Sequence, residues 1–326
     1  MFKRHITRWL VGALAMTLFA TGCGIRQDAV KTEPNSTNRQ QAEQPTKQAT
    51  TVYPLTYTDA TGTTVTIEQE PQRIVSLLPS NTEILYALGL GDKVVGVTKW
   101  DDYPAEAKEK PIIGDLKPNA EAVLAQKPDL ILGGASAQGA DIEALRKLGL
   151  TVIAFEATTI AEAEQVIQDV GQITNTASQA DEVVADMKHT VATVTAKTKS
   201  LSAKEKPRVY VELSAAPDIY TAAQGTFMDE MITLVGGTNI FGDLKGWKKV
   251  SSEQVVAKNP QVIIATHGTT EDMKQLVAKR GGWKQVEATK QGRILAVDTN
   301  LVSRPGPRLA DGLLEFAKAI HPELFQ

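Results

Sequence analysis

Asn119-Ala-Glu-Ala-Val-Leu-Ala-Gln-Lys-Pro-Asp-Leu-Ile131 and Ser251-Ser-Glu-Gln-Val-Val-Ala-Lys-Asn-Pro-Gln-Val-Ile263 follow one pattern. Each opens on a side chain suited to capping a helix, places a glutamate two residues later (Glu121, Glu253), and stops at a proline. Each then runs into an aliphatic stretch that reads as a buried strand. A capped helix that turns through proline into such a strand is a piece of a parallel α/β sheet covered on both faces. One copy in each half of the chain predicts two similar lobes.

The flanking sequence extends the pattern on both sides. Residues 53–67 alternate apolar and polar around Asp59-Ala-Thr-Gly62, which predicts a hairpin. Strands follow at 73–78, 93–98 and 151–155, with helices at 81–88, ending at Gly89, and at 141–148. The second half predicts strands at 208–213 and 293–297 and helices at 226–234 and 308–320. Residues 53–159 thus form an N-terminal lobe and 206–326 a C-terminal lobe.

Between them, residues 160–205 are largely helical. Ala180, Val183, Val184, Met187, Val191, Val194 and Leu201 make an apolar stripe at helical spacing, and Ser178 with Asp181 suits a capping box. A continuous helix over 178–204 would run about 40 Å at about 1.5 Å per residue. A single packed strut predicts stiff lobes with small closure; a loop would predict a wide hinge.

The N-terminus carries Lys3, Arg4 and Arg8, then an apolar run over 9–20, then Thr21-Gly-Cys-Gly24. That run is too short to span a bilayer core, which takes about 20 residues, so 1–22 reads as a signal peptide. Small residues before the sole cysteine resemble a bacterial lipobox, with Cys23 as the lipidated residue; ordinary cleavage is the alternative. The segment 23–52 is rich in Gln, Thr, Asn and Lys and reads as a disordered tether. The folded part is expected outside the cytoplasm, at the outer face of the cytoplasmic membrane or facing a periplasm.

The net charge of −3 gives no electrostatic reason for a nucleic-acid partner. One cysteine excludes an intrachain disulfide. Neither G-x-G-x-x-G nor a P-loop occurs, and the four histidines are scattered, so no metal site is expected. No catalytic residue is predicted, and an enzyme reading has no positive feature behind it.

Residues from Tyr53 onward resemble the ABC-importer substrate-binding proteins for cobalamin, haem and iron siderophores, and most closely the cobalamin-binding members. The likeness lies in Arg73-Ile-Val-Ser-Leu-Leu-Pro-Ser-Asn-Thr-Glu-Ile84, Val94-Val-Gly-Val97, Asp102-Tyr-Pro104, Lys127-Pro-Asp-Leu130 and Ser303-Arg-Pro-Gly-Pro-Arg308, in that order. The resemblance implies two α/β lobes joined by one rigid helix, with ligand in the interlobe cleft. It implies a monomeric receptor that needs no cofactor and delivers a corrinoid to a permease dimer driven by cytoplasmic ATPases. Haem or a ferric siderophore is the alternative cargo, and an extracellular hydrolase or chelatase a remote one.

Site residues follow from the same resemblance. Ser80 and Asn81 sit where a strand gives way to a helix, at the edge where backbone N–H groups face a cleft. Trp100 matches the cleft aromatic of the cobalamin binders, and the planar-ligand reading depends on its facing the slot. Trp247 and Tyr220 are further aromatic candidates. Asn300, Leu301, Val302, Ser303 and Arg304 match the second cleft segment, with an interlobe salt bridge as the alternative role for Arg304. Asp115 and Gly134 replace aromatics found in some relatives. Glu121 and Glu253 match the glutamates that meet permease arginines.

Overall fold

The structure, a computed structural model, describes residues 50–325. The expected signal segment, Cys23 and nearly all of the tether lie outside the described residues. Thr51 is already tied to the body, its backbone N–H donating to Asn175 Oδ1 at 2.9 Å.

Strands β1 (Leu55–Thr58) and β2 (Thr64–Ile67) form the expected hairpin, with Leu55 opposite Ile67. Asp59 closes its turn by accepting from the Thr61 backbone and hydroxyl at 2.9 and 2.6 Å. The N-terminal sheet then assembles from β3 (Ile74–Ser76), α1 (Pro79–Ala87), β4 (Val94–Gly96), α2 (Ala120–Ala125), β5 (Leu130–Gly134), α3 (Ala135–Lys147) and β6 (Val152–Phe155). Its strand order is β4-β3-β5-β6, all parallel.

Helices α4 (Ile160–Ile173) and α5 (Ala177–Thr198) lead into the second lobe. There follow β7 (Arg208–Glu212), β8 (Tyr220–Ala222), α6 (Phe227–Leu234), β9 (Thr238–Asn239), β10 (Trp247–Lys249) and α7 (Ser252–Lys258). The lobe ends with β11 (Val262–Ala265), α8 (Thr270–Lys279), α9 (Glu287–Lys290), β12 (Ile294–Ala296), α10 (Thr299–Ser303) and α11 (Leu309–Ile320). Its parallel sheet runs β9-β7-β11-β12, while β8 and β10 pair separately as an antiparallel ribbon.

Taken in chain order within each lobe, both sheets have the order second, first, third, fourth. The likeness reaches single residues. Lys127 and Asn259, each just before its proline, adopt positive φ of 48° and 46°. Arg73 at the start of β3 donates Nε to the carbonyls of Gln126 and Lys127, and Arg208 at the start of β7 does the same to Asn259. A guanidinium thus covers the carbonyl end left bare where each helix stops.

Strand alternation divides the core. Val75, Ile131 and Val152 pack under α2 and α3 on one face of the first sheet, and Tyr210, Ile263 and Ile294 pack with Trp283 on one face of the second. The opposite faces share one cluster, in which Leu130, Leu132, Val209 and Ile264 join Val170, Val184, Met187 and Phe316 of the connecting and terminal helices. Apolar packing that runs unbroken from lobe to lobe opposes a wide hinge.

The strut differs from expectation at both ends. Its N-cap is Thr176, with no side-chain cap bond, so Ser178 lies inside the helix; the capping box belongs to Thr159 and Glu162 at the head of α4. The helix ends at Thr198, and Leu201 beyond it lies beside Gly236, where an added Cβ would sit 2.8 Å from its Cδ1. At 22 residues, α5 spans about 33 Å. No helix among the described residues is long and apolar enough to cross a membrane.

Candidate functional site

The carboxyl ends of both sheets point at one cavity of about 580 Å³, where parallel α/β sheets generally hold ligands. Gly133, Gly134 and Phe155 reach it from β5 and β6; Leu213 and Thr266 reach it just beyond β7 and β11. Its size suits a small-molecule site, which typically measures about 300–1,000 Å³.

The β8–β10 ribbon supplies the C-terminal wall. It sets Trp247, 46% exposed, against Phe227 at the head of α6, with ring centroids 5.3 Å apart and planes at 63°. That edge-to-face contact steadies an indole whose other surface is open. On the opposite wall, Gly134 keeps the end of β5 bare, since a Cβ there would come within 2.5 Å of Leu78 Cδ1.

Polar groups on the wall are mostly committed. Asn81 Nδ2 donates to the Gly133 carbonyl at 3.3 Å, Thr226 Oγ1 to Ala223 at 2.9 Å, and the Thr299 hydroxyl to Thr266. Glu156 is the one ionisable side chain among the lining residues, and its Oε2 accepts from the Ser136 backbone at 2.8 Å.

Beside the cavity the lobes are clasped. Glu83 of α1, 3% exposed, takes Arg304 Nη1 at 2.9 Å and Arg308 Nη2 at 2.7 Å on Oε1, and Arg308 Nε at 2.8 Å on Oε2. Arg304 also reaches Asp102 at 2.7 Å and the Trp100 carbonyl at 3.1 Å. Burial pushes the Asp102 carboxyl up, but Arg304 and Asn300 outweigh it and hold it below the ordinary value. The hydrogen bonds that Arg308 donates to Glu83 likewise hold its guanidinium above its ordinary value.

Of the expected ligand residues, Asn81, Trp247 and Ser303 line the cavity. Trp100 does not. Its indole N–H is taken by Asp115 and Lys99 lies over its ring at 4.8 Å, so it stays half-exposed on its own loop. The planar-ligand reading loses that support and is left with Trp247 and Phe227 as the paired aromatics on the wall. Arg304 faces Glu83 and Asp102, the salt-bridge role, and Asn300 donates to Asp102 at 3.0 Å. Val302 is fully buried, and Leu301 packs on the same core. Ser80 is buried against the Gly306 backbone, and Tyr220 lies on β8 opposite Lys249, outside the lining.

Sequence reasoning missed Phe155, Glu156, Leu213, Phe227, Thr266 and Thr299. Phe155 ends β6, Glu156, Leu213 and Thr266 follow their strands, and Phe227 and Thr299 open helices, so position at a sheet's carboxyl edge was the available signal. His267 pairs with Glu212, Nε2 to Oε1 at 3.2 Å, and lies outside the lining; Met228 is the methionine on the wall.

Glu121 and Glu253 occupy the first turns of the equivalent helices α2 and α7, and both are exposed. Neither enters an ion pair among the described residues. The Glu253 carboxyl is held below its ordinary value by its own backbone N–H and the Ser251 hydroxyl.

Residues 74–301 match the periplasmic binding protein family. The chain belongs to that family. It is 39% identical to the uncharacterized ABC transporter substrate-binding lipoprotein YvrC of Bacillus subtilis strain 168, over 99% of both chains. It is 31% identical to a cobalamin-binding protein of Halobacterium salinarum, over 82% of this chain and 74% of that one. A possible iron-binding, periplasmic solute-binding protein of Staphylococcus epidermidis superposes with a TM-score of 0.69 at 38% identity, covering 78% of this chain and all of that one. The binding protein is therefore the substrate-binding component of an ABC transporter, not an enzyme, and works with a permease, its ATPase and a small-molecule ligand. The two-lobe α/β architecture expected from the repeated helix-proline-strand unit is that of its structural relatives.

Proposed function

We propose that the protein is a lipid-anchored receptor, attached through Cys23, that captures cobalamin or a related corrinoid and delivers it to its permease. The observation that carries the reading is the interlobe cavity itself. It is apolar on both sides, carries Trp247 braced by Phe227, and has no cationic side chain on its wall. A large ring with neutral amide arms suits such a wall, because its flat body buries apolar area and its arms keep contact with water at the open mouth. The kinship with the Halobacterium cobalamin-binding protein supports the same choice.

Haem is the second reading, favoured by Met228 on the wall, since a thioether is a possible iron ligand. A ferric siderophore has less support: Arg304 and Arg308, the cations that would meet an anionic chelate, are both taken by Glu83. Glu121 and Glu253, one per lobe in equivalent helices, are assigned to permease docking, where well-separated carboxylates pair with arginines and orient the receptor.

Titration of the purified protein with cyanocobalamin, haemin and a ferric hydroxamate, followed by tryptophan fluorescence, tests the ligand. Saturable binding of cyanocobalamin is the expected result. Tight binding of the hydroxamate alone would overturn the corrinoid assignment.

A further inference from the structure

The cavity wall carries a single formal charge, and it is negative. Glu156 stands directly after β6, where the chain leaves the sheet toward α4. Its Oε2 is held by the Ser136 backbone N–H in the first turn of α3, at 2.8 Å. Its Oε1 has no protein donor within hydrogen-bonding distance among the described residues, and no lysine or arginine pairs with it there. No lysine or arginine lines the cavity, and Arg304 and Arg308 are paired with Glu83 and Lys99 with Asp115. The other wall hydroxyls and the Asn81 amide mostly point into carbonyls of the protein itself.

From this arrangement we infer that Glu156 is the specificity-determining residue of the cleft. Its free oxygen accepts an N–H from the ligand, and its charge repels ligands that bring carboxylates or other anions to that wall. The ligand class it selects is a large apolar ring bearing amide or ammonium donors, rather than the same ring bearing acids. The inference rests on the interlobe cavity being the ligand site. A hydrogen bond to a charged acceptor is stronger than one to a neutral acceptor. Repulsion between like charges near an open mouth is reduced, but not erased, by solvent and salt.

The test compares neutral and acidic forms of one ring at a time: cyanocobalamin with a monocarboxylate derivative in which one peripheral amide is an acid, and haemin with its dimethyl ester. The proteins are the wild type, Glu156→Gln and Glu156→Ala. Whichever ring binds, the wild type should favour its neutral form by about 5-fold or more, the size expected for a partly screened charge–charge term. Glu156→Gln should shrink that preference to within about 2-fold, because the amide keeps an acceptor and loses the charge. Glu156→Ala should also weaken binding of cyanocobalamin, whose peripheral amides donate N–H, and should leave that of haemin dimethyl ester, which has no such donor, within about 2-fold. Unchanged melting temperatures separate these effects from misfolding.

If haemin ester binds and neither corrinoid does, the corrinoid assignment fails, while a neutral-over-acid preference that Glu156→Gln erases still upholds the role of Glu156. If cyanocobalamin binds but its carboxylate binds equally well in all three proteins, the role of Glu156 is overturned and the corrinoid assignment stands. Binding of none of the four overturns both.

Discussion

Arg308 grips Glu83 with two parallel hydrogen bonds, Nε to Oε2 at 2.8 Å and Nη2 to Oε1 at 2.7 Å, across the line where the lobes meet. Arg304 adds a third at 2.9 Å, so one buried carboxylate answers two guanidiniums. Fork-to-fork geometry makes this the strong form of an ion pair. Removing the carboxylate leaves Arg308 half-buried without its ion-pair partner and Arg304 with Asp102 alone, which is far costlier than losing a surface pair.

Glu83→Ala should therefore lower unfolding free energy by about 3–5 kcal/mol, measured by urea denaturation. Arg308→Lys, which keeps the charge and loses the fork, should cost clearly less. Equal costs would mean that the fork geometry, not the charge, holds the lobes.

The two exposed tryptophans should behave differently on ligand binding. Trp247→Ala removes the cavity aromatic and its contact with Phe227, and should weaken ligand binding by about 10-fold, roughly 1.4 kcal/mol. Trp100→Ala should leave affinity within about 2-fold, since its indole is held on its own loop by Asp115 and Lys99. Calorimetric titration of both variants decides this, and a larger loss at position 100 would return that residue to the binding site.

Asp59 predicts an acid-sensitive step. Burial pushes its carboxyl up, but hydrogen bonds from Thr61 and the Ala154 backbone, together with Arg146, hold it below the ordinary value. A depressed carboxyl contributes stability that is fully present above its unfolded pKa of about 3.9 and is lost as pH falls through the folded value. Asp59→Asn should cost about 2–3 kcal/mol at pH 7, and the gap from wild type should narrow below about pH 4. A gap that stays constant down to pH 3 would contradict the sign.

Replacing Glu121 and Glu253 together by Ala should leave ligand affinity unchanged and abolish uptake into cells. Both side chains are exposed and away from the cavity lining, so folding should not suffer. Uptake at the wild-type rate would remove them from the docking surface.

The fold was legible because its signals are local. Capping residues, prolines and aliphatic runs recur in each half, and a parallel sheet buried on both faces writes itself as continuous apolar strands. The segments that escaped are those whose shape comes from packing. The β8–β10 ribbon has no alternation to reveal it: Trp247, Lys248 and Lys249 are all exposed. The end of α5 was overrun because Leu201 keeps the helical period while lying beyond the helix, beside Gly236.

Sequence by itself determined that two like halves exist, where each strand and its capped helix lie, and which glutamates correspond. Those follow from nearest-neighbour preferences of the backbone and from apolar periodicity. Tertiary structure alone decided which side chains face the cavity. Position along a strand brings a residue to the rim, but the partner waiting there sets its direction. Glu83 drew Arg304 away from the slot, Asp115 drew Trp100, and Phe227 held Trp247 at its edge.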